Sequence, residues 1–297
     1  MHIRVLFVLV VAAASAWAEG ALPLFALPDH PSVIAAGSAT ASLATGARAV
    51  SLNPAGMSAG GLPELSLSMG FLYQDVQRHS AAVSAPLPVP GLPRGTVWGG
   101  LAVSSVSYGS MERRSMPSTL PEGEYGAGDT RIGAALATGL FEGLHIGVGA
   151  SWSEARIAEC TASAVAMDLG AIYSLSAPAL DFGVSCLNLV TLQTEDELGD
   201  LARALQGTVR WMPLGGQLAL AGGVRVMDDD DPEVLAGTEY KVVDQLSLRI
   251  GRVFGHDTAR FTAGLGTTVG DLGLSYAFEE YSLDLGTAHR VGLTWRL

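Results

Sequence analysis

Apolar residues recur at every second position through most of the sequence, and this pattern constrains the fold more than any other feature. In the stretch ELSLSMGFLY, for example, Leu65, Leu67, Met69 and Phe71 alternate with serine and glycine. Side chains point to opposite faces along a β-strand, so each such segment has one apolar face and one small or polar face. The segments are about 9 to 13 residues long, which is closer to the about 9–11 residues of a tilted membrane-spanning strand than to the about 5–6 residues of a soluble strand.

The alternating segments number about 14, and an even number suits a single-chain bacterial barrel. We predict strands at residues 64–76, 78–89, 95–108, 127–140, 143–157, 162–175, 179–189, 202–213, 215–227, 233–243, 245–255, 259–270, 271–282 and 288–297. Short connections, such as 141–143 and 269–273, alternate with longer or more polar ones, such as 109–126 and 191–203. Outer-membrane barrels have short periplasmic turns and longer outer loops. The sequence therefore predicts an all-β fold, an antiparallel transmembrane β-barrel of about 14 strands over residues 64–297.

The composition favours a membrane barrel over a soluble β-protein. Charged residues make up 15% of the chain and hydrophobic residues 48%, whereas an average soluble domain has about 25% charged residues. A secreted β-sandwich or solenoid is the alternative, but neither requires connections of alternating length. The formal net charge of −12 argues against nucleic acid as a partner, because nucleic acids attract surfaces rich in lysine and arginine. We therefore expect outer-membrane lipid as a partner.

The N-terminus carries the pattern of an export signal. Arg4 precedes an apolar run over residues 5–14, and Ala16-Trp17-Ala18 forms an A-x-A cleavage site. A retained membrane anchor is the alternative, but the apolar run is shorter than the about 20 residues that a spanning helix needs. We predict a signal peptide at residues 1–18 and location in the bacterial cell outer membrane.

Residues 19–63 lack the alternation and are rich in alanine, serine, glycine and threonine. Small residues can pack inside a narrow lumen. Asn53-Pro54 is a turn initiator, and Gly56 permits a positive φ angle. We predict that this segment folds back as a plug inside the barrel. A disordered periplasmic leader is the alternative, although the low charge of the segment argues against disorder.

The order of these parts resembles that of the FadL-like superfamily of outer-membrane transporters of hydrophobic compounds. A signal peptide is followed by a small-residue segment containing ARAVSLNPAGMS and then by a long alternating region. The resemblance is greatest to the PorV/PorQ family. The residues that match the hatch motif of these proteins are Asn53, Pro54, Ala55, Gly56 and Met57. The resemblance implies a barrel of fourteen strands whose lumen holds the N-terminal segment as a hatch.

The resemblance also implies a function. It suggests passive uptake of small hydrophobic compounds, such as fatty-acid-like molecules, with such a compound as the ligand. PorV-type proteins are instead partners of a protein secretion system, so secreted proteins are an alternative class of partner. A structural surface protein is a third alternative.

Several residues are candidates for a role in such a transporter. Arg48, beside the motif, is a candidate anchor of the hatch. Gly99 and Gly100 are candidates for bending or interrupting the wall, and the resemblance implies a lateral gate for ligand release; packing of the glycine pair against the plug is the alternative. The inward arginines could hold a carboxylate head group, or they could form salt bridges inside the lumen; they are Arg131, Arg210, Arg225 and Arg249.

The sequence contains no pattern typical of catalysis or metal binding. His145 has only Gly147 and Gly149 as its nearest neighbours on the same strand face, and no G-x-S-x-G motif is present. We therefore expect no enzyme activity, no cofactor and no metal site. Cys160 and Cys186 are too few for a disulfide framework, and a single bridge or two free thiols both remain open.

Overall fold

The computed structural model of the chain describes residues 20–93, 95–114, 116, 120–177, 179–195, 200–228, 231–255, 260–281 and 286–297. Fourteen strands pair with their sequence neighbours in antiparallel fashion, and the first pairs with the last, so the sheet is a closed barrel. The strands are β1 (Glu64–Phe71), β2 (Gln77–Pro86), β3 (Val97–Arg113), β4 (Gly123–Phe141), β5 (Leu144–Ile157), β6 (Cys160–Leu175), β7 (Leu180–Glu195), β8 (Ala204–Trp211), β9 (Leu218–Met227), β10 (Glu233–Val243), β11 (Leu246–Phe254), β12 (Arg260–Val269), β13 (Leu272–Glu280) and β14 (Thr287–Arg296). The predicted all-β barrel is confirmed. The predicted signal peptide, 1–18, lies outside the described residues.

The two ends of the barrel differ. One end carries tight turns, such as 142–143 between β4 and β5 and 244–245 between β10 and β11, and we call it the short-turn end. The opposite end, which includes the connection between β7 and β8, is the loop end.

Part of the connection predicted at 109–126 is instead strand. After a register shift between Ser107 and Ser110, the ladder resumes and continues to the pair Arg113 and Gly123. Gly109 lies in this shift with a φ of 74°, a value that glycine adopts without strain. The bulge breaks the alternation, which is why the sequence pattern indicates a loop where the ladder continues.

The outside of the barrel is apolar and the inside is small or polar, as the alternation predicts. On β1, Leu67, Met69 and Phe71 are exposed, whereas Ser66 and Ser68 are buried. Exposed aromatic side chains lie near both ends of the wall. At the short-turn end they are Phe141, Tyr173, Trp211, Tyr240 and Trp295, and at the loop end they are Phe71, Tyr73, Phe254 and Phe261. An apolar band between two aromatic girdles is the surface that a transmembrane barrel presents to lipid.

Among the described residues, helices are short and none is long and apolar enough to cross a membrane. The three α-helices are α1 (Pro31–Ile34), α2 (Ala49–Leu52) and α3 (Gly56–Gly60). Short 3₁₀ turns lie at Pro23–Ala26, Ala41–Leu43, Gly46–Arg48 and Leu214–Gly216.

Residues 20–63 lie inside the barrel, and we call them the hatch. The hatch begins at the loop end, where Ala21 forms a parallel bridge with Leu201. It ends at the short-turn end, where the carbonyl of Pro63 accepts a hydrogen bond from the Leu297 amide at 2.9 Å. The hatch therefore passes along the whole lumen before β1 begins at Glu64, and its alanines between residues 26 and 55 are almost fully buried.

Candidate functional site: the seat of the hatch

The wall makes room for the hatch by placing glycine where the two come closest. A Cβ atom at Gly147 would lie 2.7 Å from the Cβ of Pro54, and one at Gly170 would lie 2.8 Å from the side-chain carbon of Asn53. These separations are shorter than real Cβ atoms tolerate. Other inward glycines meet the hatch in the same way, at Gly100, Gly183, Gly237, Gly251, Gly264 and Gly292. The inward glycines therefore let the hatch backbone lie directly on the wall.

Asn53 joins the hatch to two strands of the wall. Its side-chain amide donates to the Ser42 carbonyl at 2.5 Å, to the Ala171 carbonyl of β6 at 3.3 Å and to the Val184 carbonyl of β7 at 3.2 Å. Its side-chain oxygen accepts from the Ala55 amide at 3.2 Å. Asn53 is fully buried, so water cannot replace its side-chain amide as the hydrogen-bond partner of these carbonyls.

The other motif residues shape this turn. Pro54 lies against Gly147 and Gly170, and Ala55 is fully buried. Gly56 is the first residue of α3, and the Ala44 carbonyl oxygen occupies the position that a Cβ atom would take there. The Met57 side chain lies against Gly100 of β3. The five predicted residues therefore lie together at the hatch–wall contact.

Replacement of Asn53 with alanine should loosen the hatch. The buried Ser42 carbonyl would lose its donor, and an unsatisfied buried group costs about 1–3 kcal/mol. We expect proteolysis within residues 20–63 to accelerate by about 5- to 150-fold, measured on folded barrels in detergent. Ser51→Ala, in α2, is the matched control because Ser51 is partly exposed and its side chain forms no hydrogen bond with any residue that the structure describes. Equal cleavage rates in the two variants would show that Asn53 does not hold the hatch.

Buried arginines of the wall hold the first part of the hatch. Arg78 on β2 donates to the Leu24 carbonyl at 2.5 Å and to the Leu27 carbonyl at 3.0 Å. Arg131 on β4 donates to the Phe25 carbonyl at 3.0 Å. Both guanidinium groups also lie 5.8 Å from the centre of the Phe25 ring, which adds a cation–π attraction to each contact. The sequence pattern did not identify Arg78 as an inward-facing arginine, because Arg78 is the first residue of the predicted strand 78–89.

The predicted hatch anchor, Arg48, makes its described hydrogen bonds within the hatch, and its anchoring role stays a prediction. It donates to the Thr45 carbonyl at 3.1 Å and to the Ser32 hydroxyl at 2.8 Å. It therefore ties two parts of the hatch to each other.

Three of the four predicted head-group arginines form ion pairs with wall carboxylates. Arg210 pairs with Asp181 at 2.6 Å, Arg225 with Glu233 at 2.5 Å, and Arg249 with Glu239 at 2.7 Å. Arg131 differs: it contacts the Ser151 hydroxyl at 2.8 Å and the Asn188 side-chain oxygen in addition to Phe25. Among the described residues, no carboxylate lies within ion-pair distance of Arg131.

The wall is continuous at the predicted gate. Gly99 pairs with Ala85 and Leu136, and Gly100 pairs with Ser84 and Ala135. Gly100 faces inward against the hatch, and Gly99 faces outward against Leu87. The ladder is therefore not interrupted here in this conformation, and a gate at these glycines stays a prediction.

His30 lies at the start of α1 and is held in its neutral form. Its Nδ1 accepts from the Ser32 amide at 3.3 Å and lies 2.8 Å from the Ser32 hydroxyl. A protonated Nδ1 could not accept these bonds. Burial lowers the pKa of His30 well below its usual value, and the positive charges of Arg48 and Arg249 lower it further.

Acid should therefore release the hatch. The docked hatch binds fewer protons at His30 than a released hatch does, so docking weakens as the pH falls through about 6.5. We expect proteinase K to cleave the hatch faster at about pH 5 than at about pH 7.5, after correction for the intrinsic activity of the protease. His30→Asn keeps a capping side chain that does not titrate, and its cleavage should depend less on pH. An unchanged pH response in this variant would assign the effect to another group.

The structure also shows the state of the two cysteines and of the side chains that could bind a metal. Cys160 and Cys186 are free thiols, the first exposed and the second on the outer face of β7. Within the described ranges, no group of three metal-binding side chains comes together.

Known structures share this architecture. The toluene transporter TbuX of Ralstonia pickettii has a TM-score of 0.62 and is 12% identical, over 90% of this chain and 98% of that one. A FadL homologue of Pseudomonas aeruginosa has a TM-score of 0.63 and is 10% identical, over 94% of this chain and 100% of that one. The chain has the FadL-type fold.

A third structure with the FadL-type fold is the toluene transporter TodX of Pseudomonas putida. Its TM-score is 0.62 at 11% identity, over 90% of this chain and 97% of that one. No protein-family model and no curated protein sequence matches the chain. The predicted FadL-like resemblance is confirmed for the fold.

Proposed function

We propose that the protein is an outer-membrane barrel for passive uptake of small hydrophobic compounds, in which the hatch is a movable seal. The observation that carries the proposal is the hatch itself, which fills the lumen of a FadL-type barrel and lies on glycines of its wall. Two of the compared structures are toluene transporters. The short-turn end faces the periplasm in this proposal, as is usual for such barrels.

Arg131 is the strongest candidate for contact with a carboxylate head group. Its described hydrogen-bond partners are a hatch carbonyl and neutral side chains, and the Asp168 carboxylate acts on it from beyond ion-pair distance. The other three candidates are already paired with carboxylates. A fatty-acid-like carboxylate would form a stronger, charge-assisted bond than the Phe25 carbonyl does. Binding would then compete with the hatch for the guanidinium.

Release of the ligand from the barrel requires an opening in the lumen or in the wall. Gly99 and Gly100 remain our candidates for a lateral gate, but opening there would require strands that are now paired to separate. Deletion of residues 31–57 removes most of the seal, and we expect it to change uptake without preventing insertion of the barrel.

The finer resemblance to the PorV/PorQ family rests only on the short motif and its position. A secretion-partner role, with secreted proteins as partners, and a surface-structural role stay alternatives that no feature of the described residues favours. Crosslinking in intact cells tests the first of them, because a secretion partner would capture exported proteins in quantity.

Uptake into proteoliposomes tests the proposed function. We expect the protein to accelerate entry of both toluene and a labelled long-chain fatty acid. Arg131→Gln should reduce the ratio of fatty-acid to toluene uptake, whereas Arg210→Gln, the paired control, should leave the ratio unchanged. Entry no faster than into empty vesicles for both compounds would overturn the function, and equal ratios in both variants would overturn only the role of Arg131.

A further inference from the structure

The connection between β2 and β3 at the short-turn end has an unusual backbone, and we call its described residues, 87–93 and 95–96, the proline link. Pro88, Pro90 and Pro93 have no amide hydrogen. Of the other amides, Leu87 donates to Val97 at 2.8 Å, Leu92 to Val89 at 3.1 Å and Thr96 to Pro93 at 3.2 Å. Three of the six described non-proline amides of the link are therefore satisfied by the protein, and those of Val89, Gly91 and Gly95 are left for water or lipid head groups.

Three side chains of the proline link are apolar and exposed. Leu87, Val89 and Leu92 retain 37%, 37% and 48% of their accessible surface. Leu87 lies against the outward face of Gly99, so the link begins by following the lipid-facing wall. A connection in bulk water would gain nothing from exposing three such side chains.

Leu92 and Thr96 also border a groove on the outer face of β4 to β7. The groove has a volume of about 580 Å³, within the range of small-molecule sites. Outward side chains of the wall line most of it, including Leu136, Ile146, Leu169, Ala171, Val184 and Cys186. None of its described lining residues is charged, and the groove belongs to the apolar surface between the two aromatic girdles.

We propose that the proline link lies in the interfacial region of the bilayer leaflet at the short-turn end, and that an acyl chain of a bilayer phospholipid occupies the groove beside it. The occupant follows from continuity, because the groove opens on the same face as the exposed leucines and valines that contact lipid elsewhere on the barrel. The link fits the interface rather than the hydrocarbon core, because its prolines remove three donors and water at the level of the head groups can reach the amides of Val89, Gly91 and Gly95. Its leucine and valine side chains supply the apolar contact.

Spin labels test the position of the link. In a background with Cys160→Ser and Cys186→Ala, single cysteines at Val89 and Leu92 are labelled and the barrel is placed in vesicles of phosphatidylethanolamine and phosphatidylglycerol. Controls are Leu136 on the wall and Gln245, which is exposed in the turn between β10 and β11. The measurement compares collisions with oxygen, which concentrates in lipid, and with a water-soluble nickel complex.

We expect Val89 and Leu92 to collide more with oxygen, as Leu136 does, and Gln245 to collide more with nickel. A nickel preference at Val89 and Leu92 would place the link in water and overturn the proposal. Immobile labels that neither reagent reaches would show a protein partner, such as a second copy, and would overturn it equally.

A second measurement identifies the occupant of the groove. Ala171→Phe fills the groove, and Ala263→Phe places the same side chain on β12, away from it. Mass spectrometry after exchange into detergent should show at least twofold less retained phospholipid for Ala171→Phe than for Ala263→Phe. Equal retention would remove the acyl-chain site, and loss of a free fatty acid instead of phospholipid would assign the groove to a different ligand and overturn the proposal.

Discussion

Gly170→Val is expected to open the barrel without unfolding it. A Cβ at position 170 would meet the side chain of Asn53 and lie 3.2 Å from the Cδ of Pro54. The paired strands hold residue 170 in place, so the new side chain has to displace the hatch turn. The hydrogen bonds of Asn53 must then lengthen or break. Overpacking of this kind costs about 1–3 kcal/mol, which is about a 5- to 150-fold increase in the population with a displaced hatch. Conductance across planar bilayers measures that population directly.

Gly207→Val is the matched control for this experiment. Gly207 lies in β8, and a Cβ there would meet nothing within 4 Å. Both variants place valine, a good strand former, in a strand of the same barrel. Gly170→Val should conduct while Gly207→Val stays closed, and both should still migrate as folded barrels in unheated gel samples. Conductance that rises equally in both, or in neither, would show that the glycine seat does not hold the lumen closed.

Glu279→Gln is expected to destabilise the barrel by about 3–5 kcal/mol, because it removes one charge of a buried ion pair. Glu279 on β13 binds Arg290 on β14, and their side chains are only 5% and 8% exposed. Arg78 lies close enough for its positive charge to act on Arg290. Arg78 and Arg290 flank Gly70 of β1 on the same side of the barrel, so without the Glu279 carboxylate two buried guanidinium groups would lie close together. Urea unfolding of the barrel in lipid vesicles, followed by tryptophan fluorescence, measures the loss.

The exposed pair Arg114 and Glu112 supplies the comparison. Their side chains are 35% and 58% exposed, and exposed pairs contribute about 0–1 kcal/mol. Glu112→Gln should therefore leave the unfolding midpoint almost unchanged. A loss of similar size in both variants would show that burial does not decide the strength of these pairs.

The strands could be predicted well because they depend on a local pattern. Each lipid-facing residue has to be apolar and its neighbours have to face the lumen, so the period of two follows the wall closely. The predicted segment 233–243 has the bounds of β10, Glu233–Val243, and the predicted start at residue 64 is the start of β1. The prediction failed where bulges change the register, as at Gly109 and at Asn188, which has a φ of 54°.

The partners inside the lumen could not be predicted in the same way. Arg131 and Arg210 have the same sequence signature, an arginine at an inward position, yet one holds the hatch and the other holds Asp181. The difference depends on which residues of distant segments arrive at the same height of the barrel. Arg78 and Phe25 are more than fifty positions apart and become neighbours only when the hatch enters at the loop end.

The sequence by itself determined the barrel, the orientation of its two faces and the presence of a small-residue segment before the first strand. These features follow from the hydrophobic effect acting on neighbouring residues, which is visible in the order of the amino acids. Only the tertiary structure decided how the hatch is held, which arginines are already paired and where the proline link meets the outer wall. Those contacts join residues far apart in the chain, and closure of the sheet brings them together.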